Sequence, residues 1–297
     1  MVKTSLPIAH ACADDCQLYL SFKPDSGLSE IEAITSMERC IKAVRTWMLK
    51  DKLKLNEQKT EYLVIGTRQQ LDKVSLDEMT IGNSKLKTTT TARSLGVWFD
   101  GNMQFDTKIT KMCAMGHFYL YNIRRIRKHL TYESARTLTQ ATIIARLDYC
   151  NSLLYGCSDG QIKMLQRLQN MVARLICNSR RFCRITPLMF KLHWLPVKLR
   201  IEYKILLMAF KAIYGLSPDY TQSLVQVKKK SLYNLRSNDE VLLAPPTFKS
   251  SKTTGDRAFQ VAAPFKWNKL LKSLTLENDL KSFKTKLKTF LFQKAYY

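Results

Sequence analysis

Acidic residues are scarce in this chain. Its 297 residues include 24 Asp plus Glu against 48 Lys plus Arg, which gives a formal net charge of +24. A surplus of this size repels itself in the isolated protein. A polyanionic partner explains it best, with nucleic acid as the first candidate and an anionic membrane surface as the second. Solubility alone needs a net charge of only about 2–8.

Long hydrophobic runs are also absent. The longest clean apolar run is residues 205–210, far below the ~18 residues of a membrane-spanning helix. Residues 1–13 resemble a secretory signal only weakly, because Pro7 interrupts an apolar stretch that is already shorter than the ~7–15 residues such a signal needs. We expect no membrane partner, no secretion, and a nuclear or cytoplasmic protein.

No CxxC motif occurs. The eight cysteines are spread through apolar, helix-like segments. The nearest groups, Cys12 with Cys16 and Cys177 with Cys183 and His193, lack zinc-site spacing. We expect buried, reduced thiols.

Two adjacent carboxylates stand near the start of the sequence. Asp14 and Asp15 lie between an apolar run, residues 6–13, and a strand-like segment, residues 17–22. This pattern predicts a strand, a tight turn that carries the acidic pair, and a second strand. Magnesium prefers carboxylate oxygens, and two-metal sites clamp the attacking and leaving oxygens of phosphoryl transfer. Asp is also common in ordinary turns, so the doublet alone does not decide.

The first 106 residues predict an α+β arrangement, an antiparallel sheet with a helix on one face. Residues 29–49 have apolar positions at helical spacing and a capping box of Ser29 and Glu32. Further strand patterns occur at residues 61–65, in a hairpin at 79–86 around Gly82-Asn83, and in a returning strand at 93–99.

Helical patterns dominate after residue 106. They cover residues 108–129, 132–147, 159–178, 197–214 and 279–292. Residues 225–255 are basic and polar and predict a linker or loose arm, with one short strand at 240–243. We expect three domains at residues 1–106, 107–224 and 225–297.

Three ordered motifs resemble the palm of reverse transcriptases. Residues 13–19 (ADDCQLY) resemble the metal-binding hairpin, usually Tyr-Ala-Asp-Asp, with Cys12 in place of the tyrosine. Residues 53–61 (LKLNEQKTE) resemble the next palm motif of non-LTR (LINE-type) retrotransposon enzymes, and residues 94–100 (SLGVWFD) resemble the primer grip. The order and spacing are those of the family, which makes the set specific.

Blocks further along are similar to the thumb and C-terminal part of the same elements. They are residues 193–197 (HWLPV) with Arg200-Ile201, residues 233–237 (YNLRS), and residues 255–259 (GDRAF) with Ala263-Pro264 and Trp267-Asn268. The resemblance therefore covers nearly the whole chain. It implies an incomplete palm, an all-helical thumb-like region and a basic C-terminal region.

The resemblance also implies site residues. The parent enzyme would be an RNA-directed DNA polymerase that uses Mg²⁺ on an RNA template and a DNA primer. Asp14 would ligate the magnesium ions and Asp15 would support the charge cluster. Lys59 matches the lysine near the leaving pyrophosphate, with a solvated lysine as the equal alternative. Leu95, Gly96 and Val97 match the turn that positions the primer end, where glycine permits a close backbone approach.

The sequence departs from this family at the metal site. The palm has a third carboxylate on an earlier strand, but only thirteen residues precede Asp14 and none is Asp or Glu. The fingers have no counterpart either. Two carboxylates make a poorer cage for two metal ions, and positioned metals supply most of the catalysis in phosphoryl transfer. We expect a 5′-truncated copy or partial gene model with no polymerase activity of its own.

Residues 119–129 combine cations with aromatic rings. The functional interpretation is a helix that follows a phosphate backbone with Arg124, Arg125, Arg127 and Lys128. The alternative is a solvated helix face with Leu120, Ile123 and Ile126 packed inward, and both can hold because long basic side chains cover apolar surface. Residues 180–184 (RRFCR) form a smaller basic cluster, predicted to be a loop with modest potential for RNA contact.

Two further functions remain open at this point. The chain could be a domesticated nucleic-acid-binding protein that uses the helical region without catalysis. It could also be a non-functional product whose incomplete palm exposes apolar surface and an unpaired strand edge.

Overall fold

A computed structural model describes residues 8–13, 15–24, 27–75, 77–82, 84–228, 241–246 and 255–297. The chain is of the α+β class and divides into two compact units, residues 1–108 and 109–297. Residues on both sides of the predicted boundary after Leu224 belong to the second unit.

The strands of the first unit form antiparallel pairs. In its described residues they make two-stranded sheets of β1 (Ile8–Cys12) with β2 (Asp15–Tyr19), β3 (Glu78–Ile81) with β4 (Ser84–Lys87), and β5 (Thr91–Ser94) with β6 (Val97–Asp100). The prediction of one antiparallel sheet is wrong, because each strand pairs only with its neighbour in sequence across a short turn.

The first hairpin confirms the predicted strand–turn–strand. Its register pairs Ile8 with Tyr19 and Cys12 with Asp15, and Ala13 adopts a left-handed φ of 55° in the turn. Asp14 lies outside the described residues. Leu18 packs against the core of the unit, while the other residues of the two strands are exposed.

Helix α1 (Gly27–Lys50) covers the second hairpin and confirms the predicted helix. The core is built on Ile41, Met79 and Ile81, and it is extended by half-buried apolar side chains of Leu18, Ile34, Met37, Leu55, Tyr62 and Leu86. The predicted capping box is wrong, because the helix begins at Gly27 and Ser29 lies inside its first turn. The Ser29 hydroxyl instead accepts a hydrogen bond from the Lys23 N–H, at 3.3 Å.

Two strand predictions in this unit are wrong. Residues 93–99 do not form a returning strand, because Leu95 and Gly96 adopt left-handed φ values of 46° and 77° and fold the segment into β5 and β6. Residues 61–65 make only an isolated bridge between Tyr62 and Thr88. Hydrogen bonds of this segment go instead to single groups elsewhere in the chain. For example, the Glu61 carboxylate accepts from the Arg93 N–H at 2.7 Å.

The second unit is helical. Its long helices are α3 (Asp106–Ile126), which begins before the division, α6 (Asp159–Ile176), α8 (Val197–Ile213) and α12 (Leu280–Tyr296). Shorter ones are α4 (Tyr132–Thr139), which continues through a π turn (Gln140–Ile144) into α5 (Ala145–Asp148), α7 (Ile185–Lys191), α9 (Asp219–Gln222), α10 (Phe259–Trp267) and α11 (Lys272–Thr275). The five predicted helices are confirmed with ends shifted by a few residues.

The core of this unit surrounds α8. Phe210 of α8 stacks on Phe283 of α12 with ring centroids 4.2 Å apart, and Trp267 of α10 lies 5.7 Å from the same Phe283 ring. All three side chains are fully buried. Buried rings of this size contribute much of the apolar area that stabilises a helical core.

The segment from 241 to 246 is held against α10. The Trp267 indole N–H donates to the Val241 carbonyl at 2.7 Å, and the Asn268 amide exchanges hydrogen bonds with the backbone of Leu243 at 2.9 Å. The predicted strand at 240–243 is reduced to a bridge between Val227 and Leu243, and Glu240 lies outside the described residues. Most of the predicted linker, residues 229–240 and 247–254, also lies outside them.

The eight cysteines, all within the described residues, form no disulfide, in line with the expected reduced thiols, but their predicted burial is largely wrong. Cys113 is buried, whereas Cys12, Cys16 and Cys183 are exposed. Cys12 and Cys16 belong to strands whose faces are mostly open to solvent, and Cys183 lies in the loop before α7.

Candidate nucleic-acid interface

The acidic hairpin adjoins the glycine turn of the first unit. Asp15 is exposed at the start of β2, and Gln17 shares its face because side chains alternate along a strand. The Gln17 amide donates a hydrogen bond to the Ser94 hydroxyl. The face that carries Asp15 therefore lies beside the turn between β5 and β6.

This turn presents backbone to solvent. Leu95 is 45% exposed, while Val97 is buried and anchors the turn in the unit. Left-handed φ values at Leu95 and Gly96 turn the chain within two residues. An exposed turn with little side-chain bulk at Gly96 can approach a strand of nucleic acid closely.

Lys59 belongs to neither of these two hairpins. It ends a 3₁₀ turn (Glu57–Lys59) whose N-cap, Asn56, accepts from the Lys59 N–H at 3.2 Å. Glu57 ties this turn to the β3–β4 hairpin, because its carboxylate accepts from the Ser84 hydroxyl at 2.7 Å and pairs with Arg45 at 3.3 Å. The Lys59 side chain is exposed.

The described residues do not supply a full ligand set for the predicted magnesium site. Among them, no group of three or more His, Cys, Asp or Glu side chains is placed to hold a metal ion. Asp15 is the described member of the predicted pair.

Aromatic rings on α3 lie beside arginine side chains of its last turn and of α5. Phe118 and Tyr121 are 57% and 62% exposed. The Arg125 guanidinium lies 6.0 Å from the centre of the Tyr121 ring, and Arg146 lies 5.3 Å from that of Tyr119. Such pairs keep rings and guanidinium planes together at the surface, as in sites that stack nucleobases.

The inward-facing positions of this helix are mostly as expected. Leu120 and Ile123 are buried, but Ile126 is exposed because the helix ends there. Arg124, Arg125 and Lys128 are exposed.

Arg127 has a structural role that the sequence did not indicate. Its guanidinium donates to the carbonyls of Leu175 and Ile176 at 2.8 and 2.9 Å, and to that of Leu130 at 2.8 Å. Leu175 and Ile176 end α6, where carbonyls lack helical partners and the helix dipole favours a cation. Arg127 thus fastens the end of α3 to the end of α6.

The His-Trp-Leu-Pro-Val block is a corner between helices in which Trp194, Leu195 and Val197 are buried and His193 is exposed. Gln166 of α6 accepts from the Val197 N–H at 2.9 Å, and Gln169 donates to the Leu195 carbonyl at 3.0 Å. The Tyr296 hydroxyl donates to the Trp194 carbonyl at 2.5 Å. Burial raises the pKa of Tyr296 to about 12, so this donor keeps its proton at neutral pH.

Charged residues of α8 hold the neighbouring helices. Glu202 pairs with Lys266 of α10 at 3.0 Å and with Lys294 of α12 at 3.1 Å. Burial alone would raise the pKa of Glu202, but hydrogen bonds from the two lysines bring it below its usual value. The sequence indicates this role of Glu202 only by its position, since it is the one carboxylate in an apolar helix.

The Gly-Asp-Arg block also contributes to the scaffold. The Arg257 guanidinium donates to the Tyr155 carbonyl at 3.0 Å and crosses Gly156, where a Cβ would lie 2.5 Å from the Arg257 Cγ. Gly156 has a φ of 72°. Two of the downstream blocks named in the sequence thus lie largely at packing contacts of the second unit, and the third, residues 233–237, lies outside the described residues.

The helices of the described residues are either too short or too polar to cross a bilayer. Comparison of the chain with protein-family models, with curated proteins and with solved structures found no match.

Proposed function

We propose that this chain is the C-terminal part of a reverse transcriptase of a non-LTR retrotransposon, and that it binds nucleic acid without polymerising it. The parent reaction is RNA-directed DNA synthesis with Mg²⁺ on an RNA template and a DNA primer. The observation that carries the proposal is the hydrogen bond between Gln17 and Ser94. It joins the two hairpins to which the resemblance assigns the metal site and the primer grip.

Charge supports the binding part of the proposal. The net charge of +24 fits a polyanion, and Arg124, Arg125 and Lys128 are exposed beside the aromatic face of α3. Phosphate contacts of this kind bind without reading sequence.

Polymerisation is expected only where a palm has its full set of carboxylates. Asp14 and Asp15 are two of the three that a palm uses, and phosphoryl transfer depends on metal ions held in place. We expect no primer extension by these 297 residues.

A second candidate is a nucleic-acid-binding protein that uses only the helical unit. The exposed cation–ring pairs of α3 favour it, since they lie in the second unit and need no palm. The two candidates differ in whether bound nucleic acid lies beside the β1–β2 hairpin that carries Asp14 and Asp15.

That difference is measurable by removing the two negative charges. In the palm proposal Asp14→Asn with Asp15→Asn strengthens binding of an RNA/DNA hybrid in EDTA by roughly 3- to 10-fold at low salt, because carboxylates near a phosphate backbone repel it. Fluorescence anisotropy of a labelled hybrid gives the affinity. The control is the pair Asp51→Asn with Asp72→Asn, which removes the same charge from other exposed positions of the first unit.

Equal affinities for the wild type and both double variants would favour the helical-unit candidate. Failure of the wild type to bind either hybrid or single strand would contradict both candidates.

A further inference from the structure

We propose that the loop between α6 and α7, residues 180–184, binds an unpaired nucleobase by stacking it on Phe182. This inference rests on the proposed nucleic-acid binding and adds a site and a ligand form to it.

The loop holds an aromatic ring away from the protein. Phe182 is 92% exposed, the most of any large hydrophobic side chain in the described residues of the second unit. Its neighbours Arg180, Arg181 and Arg184 are exposed as well. A phenyl ring this exposed leaves its faces open to a stacking ligand.

The backbone around Phe182 is tied at both sides. The Cys183 N–H donates to the Arg180 carbonyl at 3.1 Å, and the Arg174 guanidinium donates to the Cys183 carbonyl at 3.2 Å. The Ser179 N–H returns to the Arg174 carbonyl at 2.9 Å. The ring is thus presented from a braced turn, which lowers the entropy that binding must offset.

Arg127 brings this loop to the basic end of α3. Its bonds to Leu175 and Ile176 hold the end of α6, and the loop begins a few residues later. Cations from two separate parts of the sequence, Arg124, Arg125 and Lys128 on one side and the loop arginines on the other, therefore occupy the same end of the second unit. In this proposal a phosphate backbone bound to these cations places an unpaired base on Phe182.

The chemistry favours single strands over duplex. Bases in a duplex are already stacked on each other, whereas an unpaired base offers a free face to a ring. An anionic membrane is the competing ligand, but a single ring gives little anchorage where stable membrane binding needs larger apolar area.

The test compares Phe182→Ala, Phe182→Trp and Phe265→Ala in the full chain. Phe265 is a matched control, because it is exposed and has Lys269 at 3.6 Å from its ring centre but lies on α10. The probes are a labelled 20-nucleotide oligothymidylate and a blunt duplex of the same length.

We expect Phe182→Ala to weaken oligothymidylate binding by about 5- to 100-fold, the range of one base–aromatic stack, and to leave duplex binding within about twofold. We expect Phe182→Trp to keep the oligothymidylate affinity of the wild type. The fluorescence of the introduced tryptophan is quenched when the oligonucleotide binds. Phe265→Ala matches the wild type.

Unchanged oligothymidylate affinity in Phe182→Ala, with the wild type binding both probes, would overturn this inference and leave the proposed function standing. A wild type that binds neither probe would instead remove the proposed function. Loss of binding to phosphatidylserine vesicles in Phe182→Ala, without loss on oligothymidylate, would assign the loop to membranes and overturn the inference.

Discussion

Gly82 is tightly constrained by its surroundings in the first unit. Its φ is 61°, and a Cβ there would lie 1.4 Å from a guanidinium nitrogen of Arg45. Gly82→Ala must strain the backbone and displace Arg45 from its ion pair with Glu57. We expect a loss of about 1–2 kcal/mol in the free energy of unfolding, measured by urea denaturation with circular dichroism.

Gly160→Ala is the control for this substitution. Gly160 lies in the first turn of α6, and a Cβ there meets only the Ser158 hydroxyl at 3.9 Å. Alanine at such a position stabilises by about 0.4–1 kcal/mol. A Gly82→Ala protein as stable as the wild type would show that Arg45 and the turn do not constrain each other.

Arg127 illustrates what a sequence pattern leaves open at the residue scale. The run of cations at 124–128 predicted a shared role, and the structure separates one member to fasten two helix ends. Composition and spacing tell that a helix is basic, but which cation folds back depends on a carbonyl group 48 residues away in the chain.

Elements with local signals were predictable and those with distant partners were not. The helix at 132–147 begins where its pattern begins, with Thr131 accepting from the Ser134 N–H at 3.1 Å, and the hairpin around Gly82 forms as expected. Residues 61–65 have strand composition, but their partners are single groups of distant segments, such as the Arg93 N–H. A strand pattern cannot reveal that its neighbours fold back on themselves.

The packing of α10 and α12 on α8 depends on the charge of Glu202. Glu202→Gln removes the charge opposite Lys266 and Lys294, and we expect a loss of about 1–3 kcal/mol at pH 7, below the value for a fully buried pair because the lysines are partly exposed. The folded-state pKa of Glu202 lies below its usual 4.5. The difference between the two proteins is therefore full above pH 4.5 and shrinks as the pH falls through the folded-state pKa.

Urea denaturation at pH 7 and at several values below 4.5 measures this difference. Glu133→Gln is the control, because its ion pair with Arg136 is 3.7 Å long and its side chain is 72% exposed. A pH-independent difference for Glu202→Gln would mean that its carboxylate acts through packing and not through charge.

At the scale of the whole molecule, the net charge of +24 indicates the class of partner more directly than the fold does. The sequence predicted α+β organisation, a polyanionic partner, the acidic hairpin and the loop at residues 180–184, but it did not indicate how far the hairpin and Phe182 are exposed, since exposure is a property of the folded chain. Asp14 lies outside the described residues, so its place beside Asp15 rests on the sequence.

The salt dependence of binding tests the central claim, that this basic chain holds nucleic acid through its phosphates. Each neutralised phosphate releases counterions, and about four or more contacts give a slope of roughly −4 or steeper in log affinity against log salt concentration. For an RNA/DNA hybrid we predict that the binding affinity falls by about 100-fold or more between 50 and 200 mM salt, along a straight line on logarithmic axes. An affinity that stays constant over this range, or no binding at 50 mM salt, would contradict the account.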